Sequence, residues 1–356
     1  MAYTNIDDPS AYFQTALYTA TGSSLSITND GNSDLKPDLI WFKRRDSTTS
    51  NALFNSSVGR DGFLISDTDA SEFAVAAGYE LLTFDSDGFS LGLNQWGVTN
   101  SSGNRVAWQW KANGGTTSSN TDGSITSTVQ ANQDAGFSIV TYTGTGTAAT
   151  IGHGLGVAPA MYIVKNRDQA GTNWTVFHKD LTSNAYSLYL NDNSAQSNAV
   201  GYWNGTSPTS TVFSIKNTSG DVNTNTEDYV VYCFAEKQGY SKFGSYVGNG
   251  SSSGPLVWTG FKPAFVMTKA SSSTSSWMMY DYKRLGYNPI DVALRANGDD
   301  PESTSLIPGD DIDLHSNGFK LRNSNATLNA SGTTYIYMAF AENPFTTSTG
   351  IPTTAR

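Results

Sequence analysis

The chain has a single cysteine, three histidines and charged side chains at only 15% of its 356 positions. It also has no run of lysine and arginine longer than Lys43-Arg44-Arg45 and no apolar run approaching the roughly 20 residues of a membrane helix. Each shortage excludes something. One thiol, Cys233, cannot build an internal disulfide framework, and its apolar neighbours mark it as a buried, inert group. His153, His178 and His315 form no closely spaced pair, so no zinc site is spelled out locally. A net charge of −10 repels a phosphate backbone, which argues against nucleic-acid partners. The first residues, Met-Ala-Tyr-Thr-Asn-Ile-Asp-Asp, have neither the basic start nor the apolar core of a signal peptide. The expectation is synthesis in a cytoplasm, without secretory export and without membrane insertion.

What the chain does have is aromatic residues at 12% of positions and 34 glycines among abundant Ser, Thr and Asn. That mixture suits short β-strands joined by polar turns. One stretch occurs three times: Leu35-Lys-Pro37-Asp-Leu-Ile-Trp-Phe-Lys43, Gly156-Val-Ala-Pro159-Ala-Met-Tyr-Ile-Val-Lys165, and Phe261-Lys-Pro263-Ala-Phe-Val-Met-Thr-Lys269. Proline fixes φ and lacks an N–H, so it belongs where a strand starts. The unbroken apolar run that follows is the pattern of a strand buried on both faces. The closing lysine is expected to lay its stem on the sheet and keep its charge in water.

Other landmarks keep step with this stretch. Tyr18, Tyr142 and Tyr246 precede Gly22, Gly146 and Gly250, and stand 19, 17 and 17 residues before Pro37, Pro159 and Pro263. Apolar segments starting at Arg105, Tyr229 and Tyr335 begin 68, 70 and 72 residues after those prolines. Asp87-Gly-Phe-Ser-Leu91 is echoed by Asn317-Gly-Phe-Lys-Leu321 and, less closely, by Thr211-Val-Phe-Ser-Ile215. Four landmarks in one order predict an all-β protein of three tandem β-sandwich-like repeats of about 100 residues each.

The expected divisions are 1–112 (N-terminal arm and first repeat), 113–134 (flexible Gly/Ser/Thr-rich linker), 135–238 (second repeat), 239–345 (third repeat) and 346–356 (tail). A short strand around Ile125 to Val129 is an option within the linker. The second and third repeats should pack together while the first hangs on its tether. Only Ser71-Glu-Phe-Ala-Val-Ala-Ala77 has a composition compatible with helix.

Candidate sites are sparse. Gly152-His-Gly-Leu-Gly156 runs into Pro159 and a strand, not into the helix that a phosphate-binding glycine loop needs. No catalytic residue is singled out, because no nucleophile elbow and no obvious carboxylate pair appears. Asp85 with Asp87, and Asp310, Asp311 and Asp313, are acidic clusters that could gather around Ca²⁺; an Asx turn and a solvated charge run are the plainer readings. No other cofactor is indicated. Trp96, Trp174, Trp203 and Trp277 lie in polar, loop-like surroundings and are candidates to stack on sugar rings. Core packing or subunit contact is the competing role.

Three further blocks are Thr4-Asn-Ile-Asp-Asp-Pro-Ser-Ala-Tyr-Phe-Gln-Thr-Ala-Leu-Tyr18, Gly152-His-Gly-Leu-Gly-Val-Ala-Pro-Ala-Met-Tyr-Ile-Val-Lys-Asn-Arg167, and Tyr232-Cys-Phe-Ala-Glu-Lys-Gln-Gly-Tyr240 with its continuation to Gly250. Together they resemble a family of virion proteins from tailed phages of marine bacteria. Asn317-Gly-Phe-Lys-Leu and Tyr335-Ile-Tyr-Met-Ala-Phe-Ala-Glu-Asn-Pro-Phe345 follow the same pattern. The resemblance implies a non-enzymatic particle-surface protein, either a tail fibre or receptor-binding protein or a capsid decoration or head fibre. Its expected partners are other virion proteins, further copies of itself (a homotrimer in the fibre case) and host surface glycans. A polysaccharide-degrading enzyme of the virion and a free lectin-like module are the alternatives.

Overall fold

A computed structural model describes residues 3–217, 219–303 and 311–353, and they form an almost entirely β structure of antiparallel sheets. Three large sheets share one strand order. In the first, Phe13–Ala20 pairs with Gly103–Trp110, which pairs with Leu39–Arg44, then Ala52–Asn55 and Gly59–Ile65. In the second, Phe137–Thr143, Asp228–Phe234, Met161–Asn166, Thr175–His178 and Leu188–Tyr189 follow in the same order. In the third the order is Ser241–Val247, Thr334–Pro344, Phe261–Ala270, Met278–Asp281 and Leu294–Arg295. Each proline-led run is therefore a central strand, as its apolar sequence requires. A small sheet covers one face of each large one. These are Leu25–Ile27 with Gly88–Leu91 and Leu81–Asp85; Ala149–Gly152 with Val212–Ile215; and Leu256–Trp258 with Gly318–Leu321 and Ile312–His315.

Alternation along the central strands sends side chains into two different cores. Ile40 and Phe42 point toward the small sheet, onto Ile27, Phe89 and Leu91; Tyr162 and Val164 do so in the second sheet pair, and Val266 in the third. The intervening residues, Leu39 and Trp41, Met161 and Ile163, Phe265 and Met267, all enter one shared core with Trp108, Trp110, Tyr232, Phe234, Met338 and Phe340. The three large sheets thus enclose a common centre. The first sheet pair is part of it and does not hang free.

The joints between the sheet pairs run in a ring. Thr49 N–H donates to Asp299 O at 2.9 Å, Gly171 N–H to Asp69 O at 3.0 Å and Ser275 N–H to Asn193 O at 2.9 Å. Glu302, Glu72 and Gln196 return N–H bonds to Arg45, Arg167 and Ser271 at 2.8–2.9 Å. Lys43, Lys165 and Lys269 occupy one place in this scheme. Each is fully buried, against the expectation of a solvated charge, and donates across a joint: to Gly298 O at 3.2 Å, Asp69 O at 3.2 Å and Asn193 O at 3.3 Å. The reason is the central face. A lysine two residues beyond Trp41, Ile163 or Met267 follows their side of the sheet, which is covered there by the neighbouring pair's loop. Burial pulls all three ammonium groups down to a pKa of about 8.

Two further expectations change. Within 113–134, Ser118–Asn120 and Ser127–Asn132 are strands that extend the second large sheet. Their alternating Ser/Thr/Val/Gln pattern pairs readily although it looks like linker composition. Residues 71–77 contain only the short strand Phe73–Ala74, because Phe73 is used to pair with Phe63. Among the described residues the helices are two single turns, Tyr282–Leu285 and Ala326–Asn329, besides the 3₁₀ turn Pro9–Ala11.

Candidate functional site

Three of the four tryptophans proposed for sugar stacking are buried. Trp174 and Trp277 sit in the common core, and their indole N–H groups cross joints to Ile65 O and Tyr189 O, each at 2.8 Å. Trp203 packs edge-on against Tyr162 at 4.8 Å and donates to Tyr186 O at 3.2 Å. None of the three offers a face to a ligand. Their polar flanks mislead because those loops fold over a neighbouring sheet. A signal was present: Trp174 and Trp277 follow the shared lysine by nine and eight residues, and Asn51, eight after Lys43, donates to Arg295 O at 3.1 Å in the same manner.

Trp96 is different, at 47% exposure. Phe63 and Phe73, brought face to face at 5.3 Å by strand pairing, form a wall, and Trp96 stands edge-on to Phe73 at 5.3 Å. Its N–H is fixed to Ala74 O at 3.0 Å. The loop that carries it is held from beneath by Glu80, which is buried. That carboxylate accepts from the backbone N–H groups of Gln95 at 3.0 Å, Trp96 at 2.6 Å and Thr99 at 3.1 Å, and from the Thr99 hydroxyl. Charge-assisted bonds of this kind position a loop strongly. Glu80 carries a φ of +46°, a left-handed conformation that a non-glycine residue adopts only when its surroundings impose it. Sequence reasoning missed Glu80.

Beside the indole lies a groove of about 370 Å³ lined by Thr49, Ser50, Phe63, Phe73, Trp96 and Asp299. A pre-positioned aromatic ring next to hydroxyls and a carboxylate can stack a flat ligand ring and hydrogen-bond its hydroxyl groups.

The acidic candidates serve turns and ion pairs. Asp85 accepts from the Thr83 and Ser90 hydroxyls, both at 2.6 Å, and Asp87 from Leu35 N–H at 3.1 Å. Asp311 is buried and accepts from the Tyr280 hydroxyl at 3.0 Å and the Asn323 amide at 3.1 Å. Asp313 pairs with Arg322 at 3.2 Å. Asp310 lies outside the described residues. Among the described residues no group of three or more His, Cys, Asp or Glu side chains gathers as metal ligands would. Cys233 is buried, and burial pushes its thiol well up in pKa. No helix among the described residues is long and apolar enough to cross a membrane.

The family model described as Domain of unknown function (DUF7483) matches residues 8–344, so the chain belongs to that family. No curated protein and no solved structure matches it.

Proposed function

We propose that this DUF7483 protein is a non-enzymatic surface protein of a phage particle that contacts host glycans through the Trp96 shelf. The observation that carries the binding part is the shelf itself: one indole held at its N–H end and left open beside a hydroxyl-lined groove. The particle assignment rests on the resemblance of the blocks around Tyr18, His153 and Tyr232, with a low-charge composition rich in Ser, Thr and Asn. Between the two particle roles, capsid decoration is the better fit. A fibre's trimeric core is usually made by three chains, whereas here three sheets of one chain already close around a common core.

Cryo-electron microscopy of the assembled particle tests the assignment. Copies distributed over the icosahedral shell are the expected result. A few copies at the tail would transfer the role to receptor binding, and absence from the particle would overturn the reading.

A further inference from the structure

A second groove, of about 570 Å³, opens where Phe261–Ala270 begins and Thr334–Pro344 ends. It is a built feature. The helical turn Tyr282–Leu285 is capped by Asp281, whose carboxylate accepts from Arg284 N–H, and closed by Gly286 at φ +78°. This brings Tyr287 onto the rim at 65% exposure. The Asn288 amide then locks the opposite wall by donating to Leu314 O at 2.8 Å and accepting from Leu314 N–H at 2.9 Å.

The groove is electrically balanced. Its lysine, Lys262, lies 2.6 Å from Glu342 and 4.2 Å over the ring of Tyr282, so the cation is spent inside the site. Hydrogen-bonding capacity is not spent. His315 Nε2 is shielded and has no hydrogen-bond partner, and its nearest acid, Asp313, is 4.0 Å away. The Tyr287 hydroxyl and the Asn343 side-chain amide make no hydrogen bond among the described residues. An open aromatic ring, several uncommitted polar groups and no net charge together favour a flat, hydroxyl-rich, uncharged ligand. A chain of net charge −10 disfavours acidic ligands further.

We infer that this groove is a second ligand site, separate from Trp96, that binds neutral saccharide with Tyr287 as the stacking platform and Asn343 as a hydrogen-bonding group. The saccharide class rests on the glycan reading above; the site does not depend on Trp96.

The test starts from the full-length Trp96→Ala protein, so that only other sites report. Saturation-transfer difference NMR is recorded with cellotriose, mannotriose, galactotriose and chitotriose, and with trigalacturonate as the acidic control. The expected result is binding of at least one neutral trisaccharide, weakened tenfold or more by adding Tyr287→Ala and changed less than threefold by adding Tyr287→Phe. Tyr287 is a rim residue, so both variants should fold, and circular dichroism verifies this. Binding by the unmodified protein with none in Trp96→Ala overturns the second site and leaves the first. No binding by either protein overturns both. Unchanged affinity in Tyr287→Ala, or a preference for trigalacturonate, overturns the inference as stated.

Discussion

Replacing Phe340 by alanine tests whether the three sheet pairs are one cooperative body. Phe340 is buried in the common core, with ring contacts to Phe13 at 5.2 Å, Trp110 at 5.6 Å, Phe234 at 6.0 Å, Tyr240 at 5.8 Å and Phe243 at 6.1 Å. These partners come from all three large sheets and the junction between the second and third. Truncating a phenylalanine in such a site costs about 3–5 kcal/mol. If all 356 residues unfold together, the unfolding entropy is about 0.75 kcal/mol/K and Tm falls by about 4–7 °C in a single transition. If the sheet pairs unfold separately, only about 100 residues carry the loss. The affected pair then drops by about 14–24 °C while the others keep their midpoint. Differential scanning calorimetry with near-ultraviolet circular dichroism distinguishes the cases, and Phe319→Ala, inside the third pair's own core, serves as comparison. We expect one transition for both variants. A split transition in Phe340→Ala would refute the argument that the central core couples the sheets.

Three other expectations follow from the same contacts. The depressed lysines Lys43, Lys165 and Lys269, each at about 8, bind fewer protons folded than unfolded between pH 8 and the ordinary lysine value. Stability should therefore rise with pH from about 8 to about 10, by at most about 1.4 kcal/mol per pH unit per lysine. Above that it should fall as the buried tyrosines, whose pKa values burial raises, oppose it; urea unfolding across pH reads the rise, and replacing all three lysines by methionine should flatten it. Gly88→Ala should cost about 2–4 kcal/mol, since a Cβ there would lie 2.0 Å from Ile27 O at a φ of +101°, and Gly318→Ala should do likewise 2.1 Å from Val257 O. Light scattering after gel filtration should give 38.1 kDa, the mass of one chain, because the apolar sheet faces that would drive trimerisation are already covered.

Much of the strand inventory was legible because apolar runs, prolines and glycines act locally. Tyr18, Tyr142 and Tyr246 do more than end a strand: their hydroxyls donate to Thr99 O at 2.8 Å, Val222 O at 2.6 Å and Leu328 O at 2.9 Å, pinning the segment before each last strand. Gly22, Gly146 and Gly250 follow with φ of +81°, +71° and +68°, which is why glycine recurs there. Exposure was less legible. Polar surroundings single out Trp96, which is exposed, and equally Trp174, Trp203 and Trp277, which are buried, since that criterion cannot distinguish a loop facing water from one facing another sheet. Glu80 gave no signal at all, because its partners are backbone N–H groups 15 to 19 residues away.

The central arrangement was written in the sequence and under-read. A strand whose residues are apolar without alternation must be covered on both faces. In Leu39-Ile-Trp-Phe, one small sheet covers Ile40 and Phe42 and leaves Leu39 and Trp41 without partners. The same holds for Met161 and Ile163 and for Phe265 and Met267. A β-sandwich standing alone would expose that second face to water, at about 25 cal/mol for each Å² of apolar surface. Three such faces in one chain have a direct solution, which is to cover one another. The lysine that closes each run then has no water to reach and turns to the neighbour's carbonyl. The buried lysines and the shared core are one consequence of the same nine-residue pattern, read on the side of the sheet that the small sheets do not cover.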